Sequence, residues 1–149
     1  MNKSSYEQEL ARTGSLTYVT TGRSMRPFLR SGEDLVHLKA KQPGQRFCKY
    51  DVILYRRVSG RYVLHRIVKV LPESYVLCGD NLTEKEPGIT EEQVLAVLTG
   101  ITRNGRPVDI RSRGYRFLIW LWYAIFWPRV LVMKILYRLK PHRPEGGSQ

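Results

Sequence analysis

Metal-ligating side chains are scarce in this sequence: its 149 residues hold two cysteines and three histidines. Cys48 and Cys78 match no Cys-x-x-Cys spacing and no His/Cys cluster accompanies them, so neither a zinc ribbon nor an iron–sulfur site is expected. Two reduced, buried thiols are the simplest expectation, with a disulfide between them left open. No glycine-rich phosphate loop and no internal repeat occurs, which argues against nucleotide-binding and solenoid classes. No metal or organic cofactor is expected. Acidic residues are also few, 13 against 25 Lys and Arg, giving a net charge of +12. That imbalance calls for an anionic partner, either nucleic acid or an anionic membrane surface. The longest uncharged apolar run, Phe117 to Pro128, has twelve residues. As a helix it would reach about 18 Å, short of the roughly 30 Å hydrocarbon core of a bilayer.

What is present divides the chain into a polar N-terminal arm (1–16), a compact domain (17–110), a basic-flanked apolar helical segment (111–140) and a tail (141–149). The arm has no apolar run and reads as a short helix or ordered arm, not as a signal peptide. The domain reads as mainly β. Arg61 to Val70 is rich in β-branched residues and alternates like a strand. Leu71-Pro72-Glu73-Ser74 supplies a turn with Pro in its second position, and Tyr75 to Cys78 returns. Asn81 to Thr90 reads as a loop leading into a turn of helix near Glu91 to Gln93. Val94 to Ile101 follows as a buried strand, Asn104-Gly105 is a hairpin signal, and Pro107 to Ile110 is a short strand.

The chemistry is carried by three residues. Ser24 lies in Gly22-Arg23-Ser24-Met25-Arg26-Pro27, ahead of the acidic turn Gly32 to Asp34. A turn centred between Pro72 and Glu73 would set His65 opposite Asp80. Directly opposed residues have β-carbons about 4.5–5.5 Å apart, so imidazole and carboxylate would bond there. A serine hydroxyl needs an adjacent base to act as a nucleophile. His65 would take its proton and pass it to a leaving amine, and Asp80 would orient the ring. Met25 and Pro27 would shape the nucleophile turn and the floor of a substrate groove. The bland alternatives are a capping serine, a packed histidine and a turn aspartate.

Four segments in order, Ser24-Met25-Arg26-Pro27, Tyr50-Asp51-Val52-Ile53-Leu54-Tyr55, Val63-Leu64-His65-Arg66-Ile67-Val68 and Gly79-Asp80-Asn81, resemble the sequence boxes of type I signal peptidases. The match is to the histidine-base, endoplasmic-reticulum and archaeal type, within the superfamily that includes LexA-like self-cleaving repressors. It covers about Thr20 to Gly100. The resemblance implies a domain of coiled antiparallel sheets, a groove for an extended peptide, and a Ser24/His65/Asp80 serine endopeptidase acting on signal or leader segments of precursor polypeptides. Small residues would precede the cut. Three positions depart from the family pattern. Gly22 replaces a small hydroxyl residue two before the nucleophile, so any oxyanion hole would rest on backbone donors such as the Ser24 amide. Tyr50 replaces a glycine. A second aspartate after Gly-Asp-Asn is missing, with Glu84 and Glu86 nearby. Lys69 lies about 13 Å along the strand from His65, so a lysine base is poorly supported.

Beyond Tyr115 the composition changes. All three tryptophans fall within Phe117 to Pro128, and basic residues flank it on both sides. Three readings stand: an interfacial or re-entrant kinked helix, a tilted span, or a helix folded over an apolar surface of its own domain or a partner. Positive flanks on both sides place the protein at the cytoplasmic face of a membrane. Secretory signal peptidases act on the opposite face, so the enzyme reading implies an unconventional topology or trimming at the inner surface. The alternative class is a non-catalytic peptide-binding or nucleic-acid-binding protein on the same scaffold.

Overall fold

Val52–Arg56 is buried on both faces along four of its five residues, the signature of a strand in the middle of a sheet. A computed structural model, which describes residues 3–126, 128, 130–132 and 135, surrounds it with a mainly β fold. Among the described residues the strands are β1 (Ser15–Val19), β2 (Asp34–Ala40), β3 (Val52–Arg56), β4 (Tyr62–Val70), β5 (Tyr75–Cys78), β6 (Lys85–Ile89), β7 (Val94–Arg103) and β8 (Arg106–Val108). Two helices, α1 (Lys3–Thr13) and α2 (Arg113–Ala124), and a 3-10 turn at Glu91–Gln93 complete the described elements. The strands form one antiparallel sheet in the order β1-β2-β7-β3-β4-β5-β6, with β8 also paired to β7. The chain divides into two units, Met1–Ser112 and Arg113–Gln149. The expected tail, 141–149, lies outside the described residues, as does part of the apolar segment expected over 111–140.

The alternation of β3 distributes the core. Ile53 and Tyr55 pack with Phe47, Ile67, Tyr75 and Leu77 on one face. Leu54 joins Leu16, Leu38 and Ala96 on the other. Val52 joins Met25, Leu29, Val36 and Ile101 in a third cluster, which lies under the segment bearing Ser24. The polar arm is part of this core: α1 inserts Leu10, with Tyr6 beside it, into the cluster of Leu16 and Leu54. Two apolar side chains one helical turn apart suffice for that.

The β4–β5 hairpin is built as expected near its turn. Val70 pairs with Tyr75 and Lys69 with Val76, and the Leu71 amide donates to the Ser74 carbonyl at 2.9 Å. A bulge between Ile67 and Lys69 then shifts the register by one, so that Ile67 pairs with Leu77 and Arg66 with Cys78. A one-residue slip moves a side chain to the opposite face of the sheet. The expected opposition of His65 and Asp80 is therefore corrected: continuing the observed register sets His65 against Gly79 and turns Asp80 to the Arg66 side.

Two other expectations change. Lys85–Ile89, inside the expected Asn81–Thr90 loop, is an edge strand paired to β5. No disulfide forms among the described residues: Cys78 is buried, but Cys48 is exposed. It lies in a turn closed by its own amide, which donates to the Asp51 carboxylate at 2.8 Å.

The Asn104-Gly105 hairpin takes positive φ at both residues, 50° and 74°, as its two-residue turn requires. Tyr50 is less accommodating, with φ at 77°. A side chain in the left-handed region costs about 1–2 kcal/mol, and this is the position where the resemblance leads one to expect glycine. Tyr50→Gly is expected to stabilise the fold by about 0.5–1 kcal/mol, the strain relief exceeding the freedom glycine adds to the unfolded chain. A raised urea midpoint at unchanged slope would bear this out. A lowered midpoint would show that the Lys49 contact over the Tyr50 ring, 4.9 Å to the centroid, outweighs the strain.

Candidate active site

Ser24 sits on the irregular connection between β1 and β2, and two ion pairs, each on a fully buried aspartate, brace this connection and the end of β5 that it meets. At one end Asp34, fully buried, receives two bonds of 2.7 Å from Arg103 and one of 2.8 Å from the Arg30 amide. Burial works against the Asp34 charge, but the Arg103 hydrogen bonds outweigh it and hold the carboxyl below the usual carboxylate range. Arg103 also donates to the Phe28 carbonyl at 3.1 Å. Beyond the end of β5, Arg66 grips Asp80 with two bonds of 2.8 Å and donates to the Tyr50 carbonyl at 2.9 Å. Its guanidinium lies 5.3 Å from the centre of the Phe28 ring. Both Arg66 and Asp80 are almost wholly excluded from solvent, at 2% and 0% exposure. Asp80, expected to orient His65, pairs with Arg66, in keeping with the shifted register.

The Ser24 segment meets the end of β5 directly. The Asn81 amide donates to the Ser24 carbonyl at 2.7 Å. A β-carbon on Gly79 would come within 2.7 Å of that same carbonyl oxygen. Only glycine allows this approach, since the obstructing atom is backbone and has little room to move. Gly79 is also next in line opposite His65, so the segments bearing Ser24 and His65 converge on it. Ser24 itself is half-buried, and among the described residues its amide makes no hydrogen bond. Met25 is buried in the core and anchors the turn from below, whereas Pro27, which follows a cis peptide bond, is exposed.

His65 is 3% exposed and makes its polar contacts through Nδ1. Glu86 Oε1 is 3.3 Å away and the Tyr55 hydroxyl 3.4 Å away. Tyr55 donates to Glu86 Oε2 at 2.8 Å, and the Arg57 guanidinium also binds the Glu86 carboxylate. Burial alone would raise the Glu86 pKa, but the bonds from Arg57 and Tyr55 lower it, so the group is ionised at neutral pH. An ionised carboxylate only accepts hydrogen bonds. A proton on Nδ1 is the tautomer that suits this carboxylate, and it leaves Nε2 with its lone pair. Burial pushes the His65 pKa below its ordinary value, with Glu86 opposing, Arg57 reinforcing and the Asp80 charge also opposing the shift. The ring is therefore neutral at pH 7, the form a general base requires.

The structure sets His65 Nδ1 against Glu86, while Asp80, ion-paired with Arg66, acts on the ring through its charge, and Glu84 is exposed. No hydrogen bond joins Ser24 to His65 among the described residues. Asp51 is structural, its carboxylate capping the Cys48 turn and its carbonyl accepting from Ile67 at 2.8 Å. Lys69 is exposed. Among the described residues no group of His, Cys, Asp and Glu could hold a metal ion. No family model, curated protein or solved structure matches the chain.

Proposed function

We propose that the first unit is a serine endopeptidase that removes signal or leader segments from precursor polypeptides, on a signal-peptidase-like coiled sheet. The observation that carries this reading is the state of His65: buried, neutral, with Nδ1 facing the ionised Glu86 and Nε2 making no hydrogen bond among the described residues. A histidine serving only to fill the core has no need of a carboxylate, a tyrosine and an arginine arranged behind one of its nitrogens.

In this mechanism Ser24 Oγ attacks the scissile carbonyl carbon while its proton passes to His65 Nε2. Glu86 stabilises the imidazolium that results, the role expected of a triad acid. The Ser24 amide faces the oxyanion as one donor of a backbone hole. Collapse of the tetrahedral intermediate expels the amine, which takes the proton from His65, and water then hydrolyses the acyl-serine by the same route. The Ser24–His65 hydrogen bond forms when substrate is bound, since such bonds tighten in the Michaelis complex. Substrate adds as an extended strand. The reading assigns this to the free edge of β1, whose chain leads through Thr20 to Ser24. Small residues before the cut follow from the resemblance. Arg66, Asp80 and Gly79 position the nucleophile segment, and Met25 and Pro27 shape its turn.

Mass spectrometry of precursor peptides incubated with the protein tests this reading. A discrete cut made by the wild type and lost in His65→Ala supports it. The same fragments from both proteins would contradict it.

A further inference from the structure

The second unit carries a surface that the proposed chemistry does not use. α2 has the sequence Arg-Gly-Tyr-Arg-Phe-Leu-Ile-Trp-Leu-Trp-Tyr-Ala, without a single acidic residue. Phe117, Leu118, Trp120 and Leu121 are exposed at 57%, 55%, 52% and 40%, while Ile119 between them is buried. At about 100° per residue the four exposed side chains share an arc of roughly 160°. The Phe117 and Trp120 rings stack along it, 5.7 Å between centroids. Large apolar side chains gathered on one exposed arc mark an interaction surface, unlike the scattered ones that every protein shows.

The charges beside this arc identify what covers it. Arg113 and Arg116 on the helix, with Arg111 just before it, are all exposed. An apolar protein groove would leave these arginines without counter-charges, whereas an anionic bilayer supplies both apolar depth and phosphate charge. Tryptophan and tyrosine, abundant in α2, favour the headgroup level of a membrane. The twelve-residue helix measures about 18 Å, and no helix of the described residues is long and apolar enough to cross a membrane. We infer that the exposed arc of α2 lies in the headgroup region of an anionic lipid bilayer, parallel to its surface. Apolar side chains then reach the acyl boundary while the arginines bind lipid phosphates.

All three tryptophans of the chain lie within 117–128, so selectively excited tryptophan fluorescence reports on this segment alone. The test mixes the full chain with vesicles of phosphatidylcholine and with vesicles that also contain phosphatidylserine. A blue shift and co-sedimentation with the anionic vesicles are expected, with affinity falling as salt is added. Each of Arg113→Gln and Arg116→Gln should weaken binding about five-fold. Trp120→Glu with Leu121→Glu should weaken it by about ten-fold or more while the circular dichroism of the sheet is unchanged. Absence of binding would overturn the inference. So would equal affinity for both vesicle types, or a dimer in vesicle-free solution that Trp120→Glu dissociates. Ser24→Ala should bind vesicles like the wild type, which separates this inference from the peptidase reading.

Discussion

Glu86→Gln is expected to reduce peptide cleavage by about a thousand- to ten-thousand-fold, with the fold intact. The glutamine amide can donate a hydrogen bond as well as accept one, so the tautomer of His65 is no longer fixed. An imidazole that carries its proton on Nε2 cannot accept one from Ser24, and the equivalent change in an established triad has an effect of this size. The pH profile separates this role from a structural one. Burial holds the His65 pKa below about 6.5, its ordinary value, so the acidic limb of kcat/KM lies below that pH. Glu86 opposes the shift, and its loss should move the limb of the residual activity to still lower pH. Stability follows the same sign. The contribution from neutral His65 is fully present above about pH 6.5 and is lost as pH falls through its lowered folded value. A Glu86→Gln enzyme with unaltered kcat and an unmoved limb would remove Glu86 from the mechanism.

Asp80→Ala is expected to fail differently, by loss of stability of about 3–5 kcal/mol. The substitution leaves the Arg66 guanidinium, 2% exposed, without the carboxylate that both its Nε and Nη2 address. Breaking one side of a buried pair is more damaging than replacing both by apolar groups, so Arg66→Met with Asp80→Leu should recover part of the loss. Urea unfolding followed by circular dichroism reads the difference. Asp80→Ala that unfolds at the wild-type midpoint, yet has lost activity, would return Asp80 to the orienting role that the shifted register denies it.

The contrast between these carboxylates shows what was legible in the sequence. The strand, turn and return from Tyr62 to Cys78 were readable because β-branched alternation and a Pro-initiated turn are local signals. The bulge between Ile67 and Lys69 was not, since nothing in Ile67-Val68-Lys69 departs from strand character. A single inserted residue there exchanges the partners of His65 and Arg66. Glu86 stood among the nearby carboxylates, but Lys85-Glu86-Pro87-Gly88-Ile89 has loop composition. An edge strand tolerates proline because one side of its ladder is unpaired, and β6 is such an edge. The tolerance that lets β6 form also hides it. The seating of α1 is silent in the sequence for a simpler reason: Tyr6 and Leu10 alone in a polar helix carry little periodicity, yet they are enough to seat it on the sheet.

The Ser24 segment is the most legible part of the candidate site and the least explained by local sequence. Its conformation is imposed from outside by Arg103 on Asp34, by Arg66 on Asp80, and by Gly79 against its carbonyl. These contacts span 14 to 69 residues of chain. Spacing alone offers no access to such constraints.

Covalent labelling tests whether Ser24 is a base-activated nucleophile. The wild-type protein, treated with a fluorophosphonate and digested, should carry the phosphonyl group on the peptide containing Ser24, at a rate that collapses in His65→Ala. Labelling of other serines only, or equal labelling of wild type and His65→Ala, would contradict the account.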